Sequence, residues 1–212
     1  MAQAIKPLTA LLLLWLGGIA LRMTILATPP VIPDIHADLA LSKTQIGILT
    51  GLPMVLFAGA AIAGSLMIAR LGTVTAAIIG LSLCAAGSAL RGVGPHVAML
   101  YFGTIVTAFG VAVTQPAMPP LVRAWVPQRI GFAPAVYTNG LLIGEILPAA
   151  LTIPLLLPAI NNSWQWSFTF WGALAGLIAL TVFAFAPRTA TAAPTATTAN
   201  RRWRSEEHTS EL

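Results

Sequence analysis

Two ionisable side chains stand inside long apolar runs: Arg22 in "LGGIALRMTILATPP" and Glu145 in "TNGLLIGEILPAAL". A charge at the centre of a membrane span costs about 2.5–3.5 kcal/mol even on lenient insertion scales, so each needs a reason to be there. An arginine offers a fixed positive charge with a rigid fork of N–H donors, suited to an anion or a polar delocalised solute. A carboxylate in the same cavity can bind a proton and couple movement of that solute to pH. The alternative is a static pair that only fixes helix packing. Nearby polar groups could add hydrogen bonds to a solute: Gln115 and Thr114 in one run, Tyr137, Thr138 and Asn139 in another.

These residues matter only if the runs around them are membrane helices, and composition says that they are. The chain has 212 residues, 57% hydrophobic and 8% charged. Mean hydropathy is +0.85. Soluble domains carry about 25% charged residues, so a polytopic membrane protein is the class implied. The net charge of +5 is no sign of nucleic-acid binding, because in a membrane chain the location of Lys and Arg carries the information. The single cysteine, Cys84, lies in an apolar run and reads as a small packing residue. No metal, cofactor or enzyme motif is found: no glycine-rich phosphate loop, no HExxH, no paired carboxylates.

Six spans follow from the apolar runs, roughly Leu8–Ile32, Thr44–Ala69, Thr73–Leu90, Val97–Val122, Gly131–Leu157 and Ser167–Ala186. The first exceeds a signal-peptide core and leads into prolines, so it stays in the protein. Lys6, Arg70, Arg123, Arg129, Arg188, Arg201 and Arg202 fall on one side, with Lys43 and Arg91 on the other. That bias places both ends in the cytoplasm. His36, His96, Asp34 and Asp38 fall in outer loops as solvated residues, and Trp164 and Trp166 suit the aromatic belt at the outer headgroups. Arg22 lies 14 residues past Leu8 and Glu145 14 past Gly131. At 1.5 Å per residue both reach about 21 Å from the cytoplasmic ends of their helices, so they meet as a pair or line one cavity.

An internal repeat supports this frame. "ATPPVI" (27–32) and "AMPPLV" (117–122) are offset by 90 residues, and Thr24 falls opposite Thr114. Each copy is expected to close the first helix of a three-helix group, the second group being inverted in the membrane. At the same offset Arg22 corresponds to Ala112 and Glu145 to Val55, so the charges are not part of the repeat. Small-residue pairs one turn apart (Gly47 and Gly51, Ala60 and Gly64, Gly172 and Gly176) read as bundle packing.

The stretch "ALRMTILATPPVIPDIHADLALSKTQIGILTGLPMVLFAGAAIAGSL" resembles the start of the cyanate and 2-nitroimidazole transporters of the major facilitator superfamily, through Leu21-Arg22, the proline-rich exit, Asp38-Leu39, Leu41-Ser42, Gly47 and Leu52-Pro53. "QPAMPPLVRAWVPQRIGFAPAVYTNGLLIGE" and "SWQWSFTFWGALAGL" fit the family's later helices, so that the resemblance covers about residues 8–187. The superfamily loop G-x-L-x-D-R-x-G-R appears here as "SLMIARLGT": Leu66, Arg70 and Gly72 remain, while Ser65, Ala69 and Thr73 replace its other residues. Glu145 has no place in the family pattern.

The resemblance implies an all-α integral membrane fold, six helices as a 3+3 inverted repeat forming the N-terminal half of a twelve-helix transporter. Such a protein works by alternating access on small anionic or polar solutes such as cyanate and nitroimidazoles, symported or facilitated, in the bacterial inner membrane, with no cofactor. Arg22, Gln115, Tyr137 and Asn139 are the expected substrate contacts, Glu145 the proton-coupling candidate, and Arg70 and Gly72 the gating-loop residues. The expected partners are a small-molecule substrate, the lipid bilayer and the missing C-terminal half. Competing readings are a complete six-helix half working as a homodimer, and a non-transporting scaffold or channel. By domain, 1–187 is the helical bundle and 188–203, "RTATAAPTATTANRRW", the start of a basic cytoplasmic linker. Residues 204–212, "RSEEHTSEL", match in one frame the translation of a common short-read sequencing adapter, and are expected to be an assembly artefact in place of a continuing gene.

Overall fold

The computed structural model describes residues 6–187, except for the side chains of residues 60 and 61. The expectations for 188–203 and 204–212 lie outside the described residues. Helix α1 runs Pro7–Leu26, followed by a 3-10 turn Pro29–Val31 and a short α2, Ile32–Leu39. Long helices α3 (Lys43–Leu71), α4 (Thr73–Arg91) and α5 (Val97–Trp125) come next. Helix α6 (Ala133–Leu151) passes through a π-helical turn, Thr152–Leu156, into α7 (Leu157–Ala159), and α8 (Trp164–Phe185) closes the bundle.

Local chemistry sets these boundaries. Pro7 sits in the first turn of α1, where its missing N–H costs nothing. Ser42 and Gln45 form a reciprocal capping box at the start of α3, each side chain bonding the other's backbone N–H at 3.2 and 2.8 Å. Gly72 alone joins α3 to α4, with φ +81°, a conformation that a Cβ would strain.

Among the described residues five helices are long and apolar enough to span a membrane, and a sixth when the arms Lys43–Gly59 and Ile62–Leu71, bent by 54°, are taken as one span. The order matches the six expected spans. The packing shows the inverted repeat directly. Exchanging spans one to three with four to six turns the α1–α6 pair into α5–α3, and α4–α5 into α8–α1. All four pairs pack together, as do the self-equivalent pairs α4–α8 and α1–α5. Thr24 and Thr114, opposite each other in the repeat, are both fully buried, and each hydroxyl donates to the carbonyl four residues earlier, as helical threonines commonly do.

The second proline motif does not close its helix. Helix α5 carries Pro116, Pro119 and Pro120 inside it and continues to Trp125, whereas α1 ends before Pro29. The chemical difference is at Thr24, whose carbonyl is taken by a side chain from α4 and not by the next turn of helix. That side chain is Arg91, expected just beyond the end of its span; it is instead the last residue of α4 and 1% exposed. Trp164 is likewise not a belt residue. It is fully buried, edge-on to Phe168, and its indole N–H donates to Asp38 Oδ2 at 2.7 Å. Asp38 is therefore bonded and not merely solvated, and the His36 ring donates through Nδ1 to the Leu41 carbonyl at 2.7 Å. Trp166, 63% exposed, stands outward as a belt residue would.

Of the small-residue pairs, Gly172 and Gly176 pack on α4 as expected. Gly47 and Gly51 meet nothing described within 4 Å, so packing within this bundle is not their role.

Candidate functional site

The α1–α6 contact is glycine-lined. A Cβ on Gly18 would stand 2.7 Å from the Tyr137 carbonyl, and one on Gly144 2.5 Å from that of Ile19. Backbones this close bring side chains one turn further along into reach of each other. Arg22 is four residues beyond Gly18, and Glu145 follows Gly144. Arg22 Nε lies 3.4 Å from Glu145 Oε1, the one ion pair among the described residues. The side chains are 31% and 36% exposed, so the pair lies at a surface of the bundle and not in its core.

The pairing is loose. Charge-assisted N–H···O bonds run at about 2.7–2.9 Å, and arginine–carboxylate pairs are often bidentate. Here Nε approaches at 3.4 Å, and among the described residues the pair makes no hydrogen bond of that quality. Tyr137 lies within electrostatic reach of Arg22. Its hydroxyl is buried and has no hydrogen-bond partner among the described residues, an arrangement that normally calls for an explanation.

The other expected contacts do not join this group. Asn139 precedes Glu145 by six residues, a rotation of about 240° on the helix, so the two face different sides of α6. Asn139 Oδ1 accepts from the Trp15 indole N–H at 2.9 Å, at the edge of an apolar cavity of about 490 Å³ that Leu8, Leu12 and Phe132 also line. Thr138, seven residues before Glu145, shares its face and is exposed. Gln115 is exposed on α5, beside Thr114, which is buried. Arg70 is exposed in the last turn of α3, and Gly72 donates its N–H to the Ile68 carbonyl at 2.9 Å, forming a tight corner. Among the described residues no cluster of histidine, cysteine or carboxylate side chains could hold a metal ion.

The residue that sequence reasoning missed is Arg91, whose guanidinium bonds Thr24, Thr28 and Thr107. One signal was present: prolines at 29 and 30 strip N–H donors from the end of α1, so its carbonyls need a donor from elsewhere.

Six apolar spans in two inverted groups of three, with charged groups at mid-depth of the first and fifth, define the class of half-bundle from which secondary transporters are built. The chain belongs to the Major Facilitator Superfamily, whose family model matches residues 14–210. It is 32% identical over 163 residues to the transporter YycB of Bacillus subtilis (strain 168), covering 77% of this chain and 40% of that protein. It is 29% identical over 171 residues to the cyanate transport protein CynX of Escherichia coli (strain K12), covering 80% of this chain and 44% of the relative. The 2-nitroimidazole transporter of the same organism is 27% identical over 191 residues, covering 89% and 43%. The chain thus spans less than half the length of the curated relatives it matches.

Proposed function

We propose that this chain is the N-terminal half of a secondary active transporter that moves a small anionic or polar solute across the bacterial inner membrane by alternating access, with both ends of the half in the cytoplasm. The single observation that carries the reading is the Arg22–Glu145 pair: opposite charges on neighbouring spans, partly open, and 3.4 Å apart without a close hydrogen bond. A pair that held the helices together as a structural clasp would gain most from closed, bidentate geometry. An open one leaves donors for a solute.

Arg22 holds the solute's negative or electron-rich group, and the orphan hydroxyl of Tyr137 supplies a second hydrogen bond beside it. Glu145 carries the coupling proton. Cyanate and 2-nitroimidazole, named for two relatives, are small solutes that offer a guanidinium an anionic charge in one case and hydrogen-bond-accepting nitro oxygens in the other. The opposite wall of the cavity comes from a second six-helix half. Gln115, exposed on α5 and apart from the pair in this half, would reach the solute only as the two halves close around it. Asn139, on the other side of α6, contributes by tying α6 to Trp15. Arg70 and Gly72 form the cytoplasmic corner between the second and third spans, which gates the cavity.

Uptake by the two-half transporter tests this. Arg22→Ala at normal expression abolishes uptake, and Arg22→Lys folds but transports poorly because a point charge replaces the fork. Glu145→Gln removes the pH dependence of accumulation while leaving solute exchange measurable. Normal uptake by Arg22→Ala rejects the substrate role, and an unchanged pH profile in Glu145→Gln rejects the coupling role.

A further inference from the structure

Arg91 is one of the largest fully buried side chains, yet among the described residues no carboxylate pairs with it. Its partners are neutral. Nη1 donates to Thr28 Oγ1 at 2.8 Å; Nη2 donates to the Thr24 carbonyl at 2.6 Å and to Thr107 Oγ1 at 3.0 Å. The guanidinium carbon stands 4.8 Å from the centroid of the Phe168 ring. One side chain from α4 thus ties together the end of α1, the wall of α5 and the face of α8.

The negative counterpart is the end of α1 itself. A helix C-terminus carries a partial negative charge on carbonyls that lack intrahelical donors. Here the shortage is acute, because Pro29 and Pro30 supply no N–H. The Thr28 N–H turns to the Ile25 carbonyl at 3.4 Å, which leaves the Thr24 carbonyl to Arg91. The shortest of the three bonds is the one to that carbonyl. Thr107 is oriented to receive Arg91, since its hydroxyl proton goes to the Gly103 carbonyl at 2.9 Å and its lone pairs face the guanidinium.

Arg22 sits in the last five residues of α1, half a turn before Thr24. Fraying of this end would turn Arg22 away from α6. We propose that Arg91 is a positioning residue for Arg22: by holding the broken end of α1 against α4, α5 and α8, it fixes the rotation of α1 that sets Arg22 opposite Glu145. The importance of that alignment for transport rests on the function proposed above; the alignment itself is a matter of geometry and can be read without any transport assay.

The experiment uses the full chain in membrane vesicles, in a Cys84→Ala background. Arg22→Cys with Glu145→Cys reports the α1–α6 alignment, through a short bifunctional methanethiosulfonate. Ala85→Cys with Gly176→Cys reports α4–α8 packing, through a direct disulfide. A Cβ on Gly176 would lie 3.6 Å from that of Ala85, within the range disulfides adopt. Adding Arg91→Met lowers the rate of 22–145 crosslinking about tenfold, the effect expected of losing a charged hydrogen bond, and leaves the 85–176 disulfide unchanged. Arg91→Lys restores part of the rate, because an ammonium can still donate to the Thr24 carbonyl. An unchanged 22–145 rate in Arg91→Met overturns the proposal. So does loss of both crosslinks, which would make Arg91 a determinant of the whole bundle and not of the end of α1.

Discussion

Arg22 Nε stands 3.4 Å from Glu145 Oε1, on two helices whose backbones touch through glycine one turn below. Both side chains are about one-third exposed, and screening keeps such pairs weak. A double-mutant cycle of Arg22→Gln and Glu145→Gln, read by thermal unfolding in detergent, is expected to give a coupling of about 1 kcal/mol or less. A coupling of about 3 kcal/mol or more would mark a closed structural pair and remove the argument for an open site.

The glycines divide into two kinds that the same assay separates. Gly144→Ala puts a Cβ 2.5 Å from the Ile19 carbonyl, a backbone atom that cannot step aside. The helices must part, at a cost of about 1–3 kcal/mol. Gly51→Ala meets nothing described and gains helix propensity, so it is expected to raise stability by up to about 1 kcal/mol. Equal effects at the two positions would show that the α1–α6 seam is not tight.

The extent to which this was legible in the sequence differs by residue. The six spans, the inverted repeat and the depth of Arg22 and Glu145 follow from apolar run length and helical rise, properties that a membrane leaves few ways to satisfy. Helical rotation was the harder matter. Tyr137, Thr138 and Asn139 are consecutive and look like one cluster, but 100° per residue sends Tyr137 toward Arg22 and Asn139 toward Trp15. Proline gave a similar ambiguity: Pro29 follows the end of α1, where Arg91 takes the Thr24 carbonyl, while Pro119 is carried within α5. Arg91 and Trp164 were misplaced for one reason. Each stands at a span boundary, where the choice between headgroup and interior is made by partners distant in sequence: Thr24 and Thr107 for one, Asp38 for the other.

Trp164 and Trp166 should therefore respond unequally to the same change. Trp164→Phe removes a buried indole N–H bonded to Asp38 at 2.7 Å and is expected to cost about 1.5–3 kcal/mol, the worth of a hydrogen bond to a charged group. Trp166→Phe, on an exposed ring, is expected to stay within about 0.5 kcal/mol. Asp38→Asn retains an acceptor and should fall between wild type and Asp38→Ala. Melting temperatures in one detergent settle the order, and a more damaging Trp166→Phe would contradict the arrangement described.

Tyr137 offers the sharpest separation of stability from function. Its hydroxyl is buried and unpartnered among the described residues, beside the Arg22 charge. Deleting a hydroxyl that already has no partner removes a desolvation cost of about 1–3 kcal/mol and forfeits no bond. Tyr137→Phe is therefore expected to be at least as stable as the wild type. If the hydroxyl waits for the solute, the same change raises the apparent KM for uptake in the two-half transporter about tenfold, because the solute loses one hydrogen bond to a buried donor. A structural role for the hydroxyl gives the reverse pattern, lowered stability with an unchanged KM, and that result would take Tyr137 out of the site and leave Arg22 and Glu145 to define it.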